Sequence, residues 1–390
     1  MKRIRILFFT GNRAEFTFIH NAIESLSKKN FYSEILISGS HLDKKFGNTI
    51  EYIKKKLHIN FHKIKINSSS KNISKASDYY SELSTKFNKF LKKNFFDYIF
   101  ISSDRFESFA IANVAFMNQL QIIHYEGGDI TLGGSYDDYL RHSISRLASL
   151  HFVTNKFSKL RLIKFGEERK RIENVGLLSL KKKKYDLKNI LNDYKLDPDK
   201  FTILFTYHPV VKRKNKNYND IKVIINSLEK LLKENELQII ITNPNFDPYC
   251  NLILKGLNNL KKKKYKNVKF YKSLGTENYH KLLYYCGKSN KGLCVGNSSS
   301  GIKEADFFNC PAINIGPRQN LRTKSKNVID VKINQRQVYK KIKLLFSKNI
   351  RKRLKNVNKI YYKKNFSKKL SDKIFNHYKK DFFNIKRCTY

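Results

Sequence analysis

The stretch His-Tyr-Glu-Gly-Gly-Asp-Ile-Thr-Leu-Gly-Gly-Ser-Tyr-Asp-Asp-Tyr-Leu-Arg-His, residues 124–142, places four acids and four glycines in nineteen residues of a very basic chain. It follows an apolar run typical of a buried strand and precedes a helix-like run at 139–150. Its acids are therefore expected where a strand ends and a helix begins, the edge of an open α/β sheet at which ligands bind.

This crowding of acids needs a functional explanation, because carboxylates that lie beside glycines repel one another. Glu126, Asp129, Asp137 and Asp138 make up the acidic set. Such crowding is typical of acid–base catalysis, in which one carboxyl pKa is raised by its neighbours. It is also compatible with a divalent metal.

The order of strand, turn and helix recurs along the whole chain. Apolar runs that begin near residues 4, 34, 98, 120 and 151 predict a first series of strands, and runs near 202, 237, 268, 292 and 312 predict a second. Strands that alternate with helices form parallel sheets covered on both faces. The sequence therefore predicts an α/β protein with two Rossmann-like, doubly wound domains that face each other across a cleft.

The length of 390 residues is too great for one ordinary core and suits two domains. We assign residues 1–178 to an N-terminal domain and residues 199–345 to a C-terminal domain. The Lys-rich stretch 176–198 lacks strand signals and is expected to be the linker. Residues 346–390 are predicted to be helices that pack back on the N-terminal domain.

The composition narrows the classes of partner and the compartment. A net charge of +47 would suit nucleic acid or an anionic membrane, but the lysines are spread along the chain beside abundant Asn, Ile, Tyr and Phe, as AT-rich codons would produce. We therefore expect neither partner. Five cysteines without a CxxC pair argue against a disulfide framework or zinc site and favour a reducing cytoplasm. Apolar runs are too short for a membrane helix.

Three further segments carry residues suited to a nucleotide. Residues 296–304, Gly-Asn-Ser-Ser-Ser-Gly-Ile-Lys-Glu, follow a strand and enter a helix, so that small residues there let backbone N–H groups face a phosphate. A serine N-cap with a capping acid explains the same pattern equally well. Arginines at predicted strand ends, Arg13, Arg318 and Arg322, can bind a diphosphate.

Two single residues stay ambiguous on spacing alone. His208 ends the first strand of the second series, where a histidine is more often a partly buried structural residue. Asp104 precedes Arg105 at the end of the third strand, and this pair could simply cap a helix.

Taken together and in order, these segments resemble the hydrolysing UDP-N-acetylglucosamine 2-epimerases, which supply N-acetylmannosamine for sialic and related nonulosonic acids. The resemblance covers about residues 4–330. It is carried by Gly-Asn-Arg-Ala-Glu at 11–15, Gly-Ser-His-Leu at 39–42, Ser-Asp-Arg-Phe-Glu at 103–107, His-Tyr-Glu-Gly-Gly-Asp-Ile-Thr at 124–131, Tyr-Asp-Asp-Tyr-Leu-Arg-His at 136–142, Tyr-His-Pro-Val at 207–210, Gly-Asn-Ser-Ser-Ser-Gly at 296–301 and Gly-Pro-Arg-Gln at 316–319.

The resemblance implies a fold of the glycosyltransferase GT-B type, with the nucleotide held mainly by the second domain. It also implies the roles of single residues. Asp104, Glu126, Asp137 and His208 are expected to be catalytic, with His208 contacting the diphosphate or the sugar; the substrate-binding residues are expected to be Arg13, Arg141, Ser299, Ser300, Gly301, Glu304 on the ribose, Arg318 and Gln319. The chain departs from the family at Ser103 and Leu321, where glycines are usual.

The implied reaction converts UDP-N-acetylglucosamine and water to N-acetylmannosamine and UDP, through a 2-acetamidoglucal, in a cytoplasmic homodimer without metal or cofactor. A UDP-linked 2,4-diacetamido-trideoxy sugar or a GDP-linked sugar of the legionaminic acid route are alternative substrates. A GT-B glycosyltransferase would need an acceptor and one base rather than three acids. A nucleic-acid-binding protein would show steeply salt-dependent binding to arbitrary duplex.

Overall fold

The computed structural model describes residues 3–27, 30–42, 49–67, 76–102, 104–131, 137–245, 247–289, 291–355 and 358–389. The strands are β1 Ile4–Thr10, β2 Phe31–Ile37, β3 Phe61–Lys63, β4 Tyr98–Ser102, β5 Gln121–Tyr125, β6 Leu150–Val153, β7 Ile172–Asn174, β8 Phe201–Thr206, β9 Leu237–Thr242, β10 Val268–Tyr271, β11 Gly292–Gly296, β12 Ala312–Ile315 and β13 Val328–Val331. The helices are α1 Arg13–Leu26, α2 Ile50–Lys56, α3 Ala76–Leu91, α4 Phe106–Met117, α5 Asp137–Leu147, α6 Lys156–Lys164, α7 Leu187–Tyr194, α8 Lys216–Glu234, α9 Cys250–Lys262, α10 Gly275–Lys288, α11 Ser299–Lys303, α12 Gln335–Leu344, α13 Lys348–Lys355 and α14 Phe366–Lys380.

The chain divides into two compact units. Unit 1 contains residues 1–129, 136–179 and 362–390, and unit 2 contains residues 130–135 and 180–361. The chain thus passes between the units several times, and neither unit is one continuous segment. Among the described residues, the longest apolar helices fall short of what a membrane span requires.

Unit 1 is built on a parallel sheet with the strand order β3-β2-β1-β4-β5-β6-β7. Its central strands β1 and β4 are largely apolar and buried, as is typical of strands covered on both faces. One core lies between the sheet, α1 and α14, and includes Leu370 and Ile374 of α14. A second core lies on the other face, where α3 and α4 contribute Leu83, Phe87 and Ile111.

Unit 2 repeats this design with the order β10-β9-β8-β11-β12-β13, again parallel throughout. Its main core joins the sheet to α8, α9 and α12. The prediction of two parallel, doubly wound α/β domains is therefore confirmed.

The strand order locates the ligand edge of each sheet. In unit 1 the order reverses between β1 and β4, and in unit 2 between β8 and β11. Connections leave such neighbouring strands in opposite directions, which opens a crevice at their carboxyl ends, where nucleotides bind in folds of this kind.

The C-terminal residues differ from the sequence-based grouping of residues 346–390. Phe346, Ile350 and Leu354 pack on the main core of unit 2, so α13 belongs to that unit. Only residues from 362 onward, which include α14, lie in unit 1. The stretch 176–198, expected to be a linker, contains α7, whose Ile190 and Tyr194 are buried.

Candidate functional site

Two of the expected acids follow neighbouring strands of unit 1. Asp104 comes two residues after β4 and Glu126 comes directly after β5, and the register pairs Ser102 with Tyr125. Because the carboxyl ends of parallel strands lie at one edge of a sheet, both acids stand at that edge. β4 also pairs with β1, so Asp104 lies beside the point where the strand order reverses.

A buried arginine contacts Asp104 and two further acidic residues of this region. The Arg141 side chain is 2% exposed; its guanidinium contacts the carboxylates of Asp104 and Asp138 and donates to the backbone carbonyl of Asp129 at 2.9 Å. Burial lowers the pKa of Arg141, but the carboxylates of Asp104, Asp129 and Asp138 outweigh this and raise it above its usual value. Arg141, expected to bind substrate, is here a fixed cation that orients acids of the protein.

The backbone at Glu126 is unusual. Its φ of 68° lies in the left-handed region, which side-chain-bearing residues rarely adopt and which costs about 1–3 kcal/mol. The Glu126 N–H donates to the carbonyl of Phe152 in β6 at 3.0 Å. Strain that the surrounding structure maintains at a single acid is characteristic of functional sites.

The two glycines after Glu126 are required by close packing. A Cβ at residue 127 would lie 2.9 Å from Oγ of Ser145, and one at residue 128 would lie 2.4 Å from the carbonyl oxygen of Ser158. Any larger residue would push the loop away from α5 and α6. The Gly-Gly pair therefore sets the position of the acids on either side of it.

Asp137 is the first residue of α5 and is partly exposed. An acid in the first turn is favoured by the helix dipole, so a structural reason for it exists beside the catalytic one. Tyr136, which begins this motif, and Ser103, which precedes Asp104, lie outside the described residues.

Arg13 is exposed at the first residue of α1, directly after the end of β1. The turn before it is fixed by other groups: the Gly11 N–H donates to the Glu15 carboxylate at 2.8 Å, and Oγ1 of Thr10 lies 2.9 Å from Nε2 of His41. Burial lowers the pKa of His41 to about 4, so its ring is neutral near pH 7. Arg13 thus stands on a rigid turn at the reversal of strand order.

In unit 2 the serine-rich loop follows β11. A Cβ at Gly296, whose φ is 139°, would lie 1.8 Å from the carbonyl oxygen of Thr206, so only glycine fits there. Ser298 caps α11 by accepting from the Ser300 N–H at 3.3 Å. α11 ends at Lys303 and is only five residues long. Because a single turn has only a small dipole, phosphate binding here would depend on local N–H groups, of which those of Ser300 and Gly301 donate to Oγ and the carbonyl of Ser298 in this structure.

His208 lies two residues beyond the end of β8 and is held from both sides. The side chain of Asn297 bonds its backbone, accepting from the N–H at 2.6 Å and donating to the carbonyl at 2.8 Å. The Asn245 N–H donates to Nδ1 of the imidazole at 3.0 Å. Burial lowers the pKa of His208 well below its usual value, and Arg318 adds to this. The neutral ring therefore carries its proton on Nε2.

Arg318 and Gln319 both donate to Asn297, the residue that also bonds the backbone of His208. Nη1 of Arg318 and Nε2 of Gln319 donate to the Asn297 carbonyl at 3.2 and 2.9 Å. Arg318 also lies 3.6 Å from the Asp247 carboxylate, and its own carbonyl accepts from Oγ1 of Thr131 at 2.8 Å. Gln319, also expected to bind substrate, is buried.

Glu304 caps the C-terminal end of α11, one turn beyond the serines. Its carboxylate lies 3.3 Å from Nε2 of His280 on α10, and both side chains are mostly buried. Leu321, where a glycine was expected from the resemblance, adopts a φ of 66° and is exposed, so this loop keeps a glycine-like backbone without the glycine.

A metal site of three or more His, Cys, Asp or Glu side chains is not formed by the residues that the structure describes. The acids at 104, 129 and 138 are arranged around Arg141, which already supplies positive charge among them.

The family model of UDP-N-acetylglucosamine 2-epimerase matches residues 24–374. The chain belongs to this family. Among curated proteins it is 33% identical over 354 residues to the hydrolysing GDP/UDP-N,N'-diacetylbacillosamine 2-epimerase of Campylobacter jejuni, covering 86% of each chain. It is 31% identical over 334 residues to the hydrolysing UDP-N,N'-diacetylbacillosamine 2-epimerase of Legionella pneumophila, covering 84% of this chain and 85% of the other.

Other members of the 2-epimerase family are more distant. The UDP-N-acetylglucosamine 2-epimerase of Neisseria meningitidis is 28% identical over 346 residues, with 86% of this chain and 85% of the other covered. A solved structure of the Neisseria meningitidis UDP-GlcNAc 2-epimerase, bound to UDP-GlcNAc, superimposes with a TM-score of 0.78 at 17% identity over 96% of this chain and all of the other. At that identity the likeness supports the fold.

Sequence reasoning missed several residues of this member of the UDP-N-acetylglucosamine 2-epimerase family. Asn297 stands inside a motif that was singled out, but an amide gives no charge signal. His280 and Asp247 lie outside every motif, and only the structure brings them to Glu304 and Arg318.

Proposed function

We propose that this protein is a hydrolysing 2-epimerase that releases UDP from a UDP-linked 2-acetamido sugar and inverts the sugar at C2. The observation that carries the proposal is the pair of acids at the ligand edge of the unit 1 sheet, Asp104 and Glu126, of which Asp104 contacts a buried arginine. Asp137 is the first residue of α5, the helix that carries this arginine. Exchange of a proton on opposite faces of one carbon requires two separate acid–base groups.

For the substrate we favour UDP-N,N'-diacetylbacillosamine over UDP-N-acetylglucosamine. The sequence alone ranked the simpler sugar first. The two hydrolysing diacetylbacillosamine 2-epimerases are, however, more similar to this chain than the Neisseria UDP-N-acetylglucosamine 2-epimerase is, over comparable lengths. Either substrate has the 2-acetamido group and the C1 diphosphate that the chemistry needs.

In the proposed mechanism one carboxylate removes the C2 proton while the C1–O bond breaks and its electrons leave with UDP. A 2-acetamidoglucal remains. A second acid then delivers a proton to C2 from the other face as water adds to C1, which gives the free 2-epimer. We assign the two transfers to Glu126 and Asp137, and Asp104 orients them, because its contact with Arg141 suits a fixed carboxylate.

The nucleotide is assigned to residues of unit 2. Ser299, Ser300 and Gly301 at the start of α11 and the Arg318 guanidinium would bind the diphosphate. Arg13, the first residue of α1, is proposed as a substrate-binding cation. Glu304 would accept from the ribose hydroxyls. His208, neutral with its proton on Nε2, would donate a hydrogen bond to the leaving diphosphate rather than act as a base.

Incubation with four nucleotide sugars tests the proposal: UDP-N,N'-diacetylbacillosamine, UDP-N-acetylglucosamine and their GDP counterparts. The released sugar is identified by NMR in deuterated water, where elimination and reprotonation must place one solvent deuteron at C2. We expect kcat/KM to be highest for the UDP-linked diacetamido sugar. Higher kcat/KM for UDP-N-acetylglucosamine would restore the simpler substrate, and absence of nucleoside diphosphate release from all four would contradict 2-epimerase activity.

A further inference from the structure

Asn297 is the most fully engaged polar residue at the nucleotide edge of unit 2. It is completely buried, and its side-chain amide makes both bonds to the backbone of His208, at 2.6 and 2.8 Å. Its own N–H donates to the Thr206 carbonyl at 3.1 Å. Its backbone carbonyl accepts from the side chains of both Arg318 and Gln319.

The position of Asn297 in the sheet makes these bonds informative. β8 and β11 are neighbours, with Thr206 paired to Gly296, and they border the point where the strand order of unit 2 reverses. Asn297 therefore connects the two sides of the crevice in which sheets of this order bind ligands. Its side chain bonds the backbone of His208, which follows β8. Its backbone carbonyl accepts from the guanidinium of Arg318, which follows a third strand, β12.

Another asparagine nearby shows what a purely structural clamp looks like. Oδ1 of Asn217 accepts from the Val210 N–H at 2.7 Å, and its Nδ2 donates to the Val210 carbonyl at 3.1 Å. Its further bond goes to the Lys214 carbonyl, within the same turn. Asn297 differs, because its side chain holds the backbone of a histidine 89 positions away and its backbone carbonyl accepts from the arginine and glutamine of a separate loop.

We propose that Asn297 is a positioning residue for the nucleotide diphosphate. Its side-chain amide holds the backbone of His208 beside the strand whose carbonyl at residue 297 accepts from Arg318, so that the imidazole stands in a fixed relation to the guanidinium before the ligand arrives. This inference rests on the proposed function, in which both groups contact UDP. Preset donors do not have to be ordered when the ligand binds, so affinity is gained without a further contact.

The test is the affinity of Asn297→Ala for UDP, measured by calorimetry on the full chain. We expect binding about tenfold to a hundredfold weaker, because small misplacements of binding groups have effects of that size. The matched control is Asn327→Ala, since Asn327 is equally buried and donates to the Cys310 carbonyl at 2.8 Å. Both variants should melt at lower temperature, but only Asn297→Ala should lose UDP affinity. Equal UDP affinity in the two variants overturns the proposal.

A double-mutant cycle adds a readout that general destabilisation does not move. If the side chain of Asn297 positions His208, Asn297→Ala should weaken UDP binding much less in a His208→Ala background than in the wild-type chain. Additive effects would contradict the coupling. If Asn297→Ala does not fold, Asn297→Asp replaces it, because the acid keeps the acceptor for the His208 N–H and loses only the donor to the His208 carbonyl.

The two proposals fail in different ways. A wild-type protein that binds UDP but turns over none of the nucleotide sugars contradicts the 2-epimerase, while the UDP affinities of the variants still decide the role of Asn297. A fully active wild-type protein whose Asn297→Ala variant binds UDP as Asn327→Ala does contradicts only the positioning role.

Discussion

At the scale of single residues, Glu126 and Asp137 carry the proposed proton transfers. Glu126→Gln and Asp137→Asn keep the volume and hydrogen-bonding shape of each side chain but cannot exchange a proton. Each change is expected to lower kcat by about 10²–10⁴-fold with UDP binding nearly intact. If one variant still releases UDP slowly and accumulates the glucal, that residue is the acid that reprotonates C2.

The matched control for Asp137→Asn is Asp186→Asn. Asp186 also stands at the start of a helix, where it caps α7 by accepting from the Lys188 N–H at 2.9 Å. The Asp186→Asn variant should keep the wild-type kcat. Near-normal turnover in both Glu126→Gln and Asp137→Asn would make the acidic set structural.

Arg141 gives the second prediction at this scale. Arg141→Met fills the same space but leaves Asp104 and Asp138 without the cation that now contacts both. Removal of one partner from a buried charged group typically costs about 3–5 kcal/mol, so we expect a large fall in the urea midpoint together with loss of turnover. Lys54→Met, which removes an exposed pair with Glu51, should cost about 1 kcal/mol or less. Similar midpoints for the two variants would contradict the buried role of Arg141.

At the scale of elements, alanine substitution at two glycines, Gly296 at the end of β11 and Gly301 in α11, should affect stability differently. A methyl group on Gly296 meets the Thr206 carbonyl, whereas one on Gly301 has Sγ of Cys294 at 3.6 Å as its nearest neighbour. Gly296→Ala should therefore lower the melting temperature of unit 2. Gly301→Ala should keep the melting temperature, because its methyl group makes only ordinary contacts with Cys294 and Ala312. Equal melting temperatures for the two variants would contradict the close approach at Gly296.

The strands that could be predicted from the sequence are those that are buried on both faces of a sheet. The central strands β1, β4, β8 and β11 are buried and consist largely of apolar residues, and their ends could be located because polar residues, glycine or proline follow shortly after. β3 is mostly exposed and β13 includes Asp330, so neither has that pattern. The bonds of Asn297 to His208 join residues 89 positions apart, a relation that depends on strand order.

At the scale of the whole molecule, α14 makes the stability of unit 1 sensitive to acid. His377 of α14 accepts from Nη1 of Arg171 at 3.0 Å and lies 2.7 Å from the Tyr98 hydroxyl. Burial and the positive charge of Arg171 lower the pKa of His377 to about 4, against 6.5 in an unfolded chain. The folded state then binds fewer protons between these values, so stability that is present above pH 6.5 is lost as the pH falls towards 4.

Urea unfolding of wild type and His377→Gln between pH 4.5 and 7.5 measures this effect. The full shift corresponds to about 3 kcal/mol, and the variant should show a correspondingly flatter pH dependence. His58→Gln, at an exposed position, should keep the wild-type slope. Parallel curves for wild type and His377→Gln would exclude His377 as the source.

The position of α14 in unit 1 also bears on how the protein is made. Residues 1–179 leave the ribosome long before Leu370 and Ile374, which complete their core, have been translated. The face of α1 that α14 covers, joined to it by Oγ of Ser25 and Oγ of Ser367 at 2.9 Å, therefore stays in water while unit 2 is synthesised. Unit 2 can bury its core first, although its main segment is translated second. The nascent chain thus exposes an apolar surface for most of its translation, the condition under which ribosome-associated chaperones are needed.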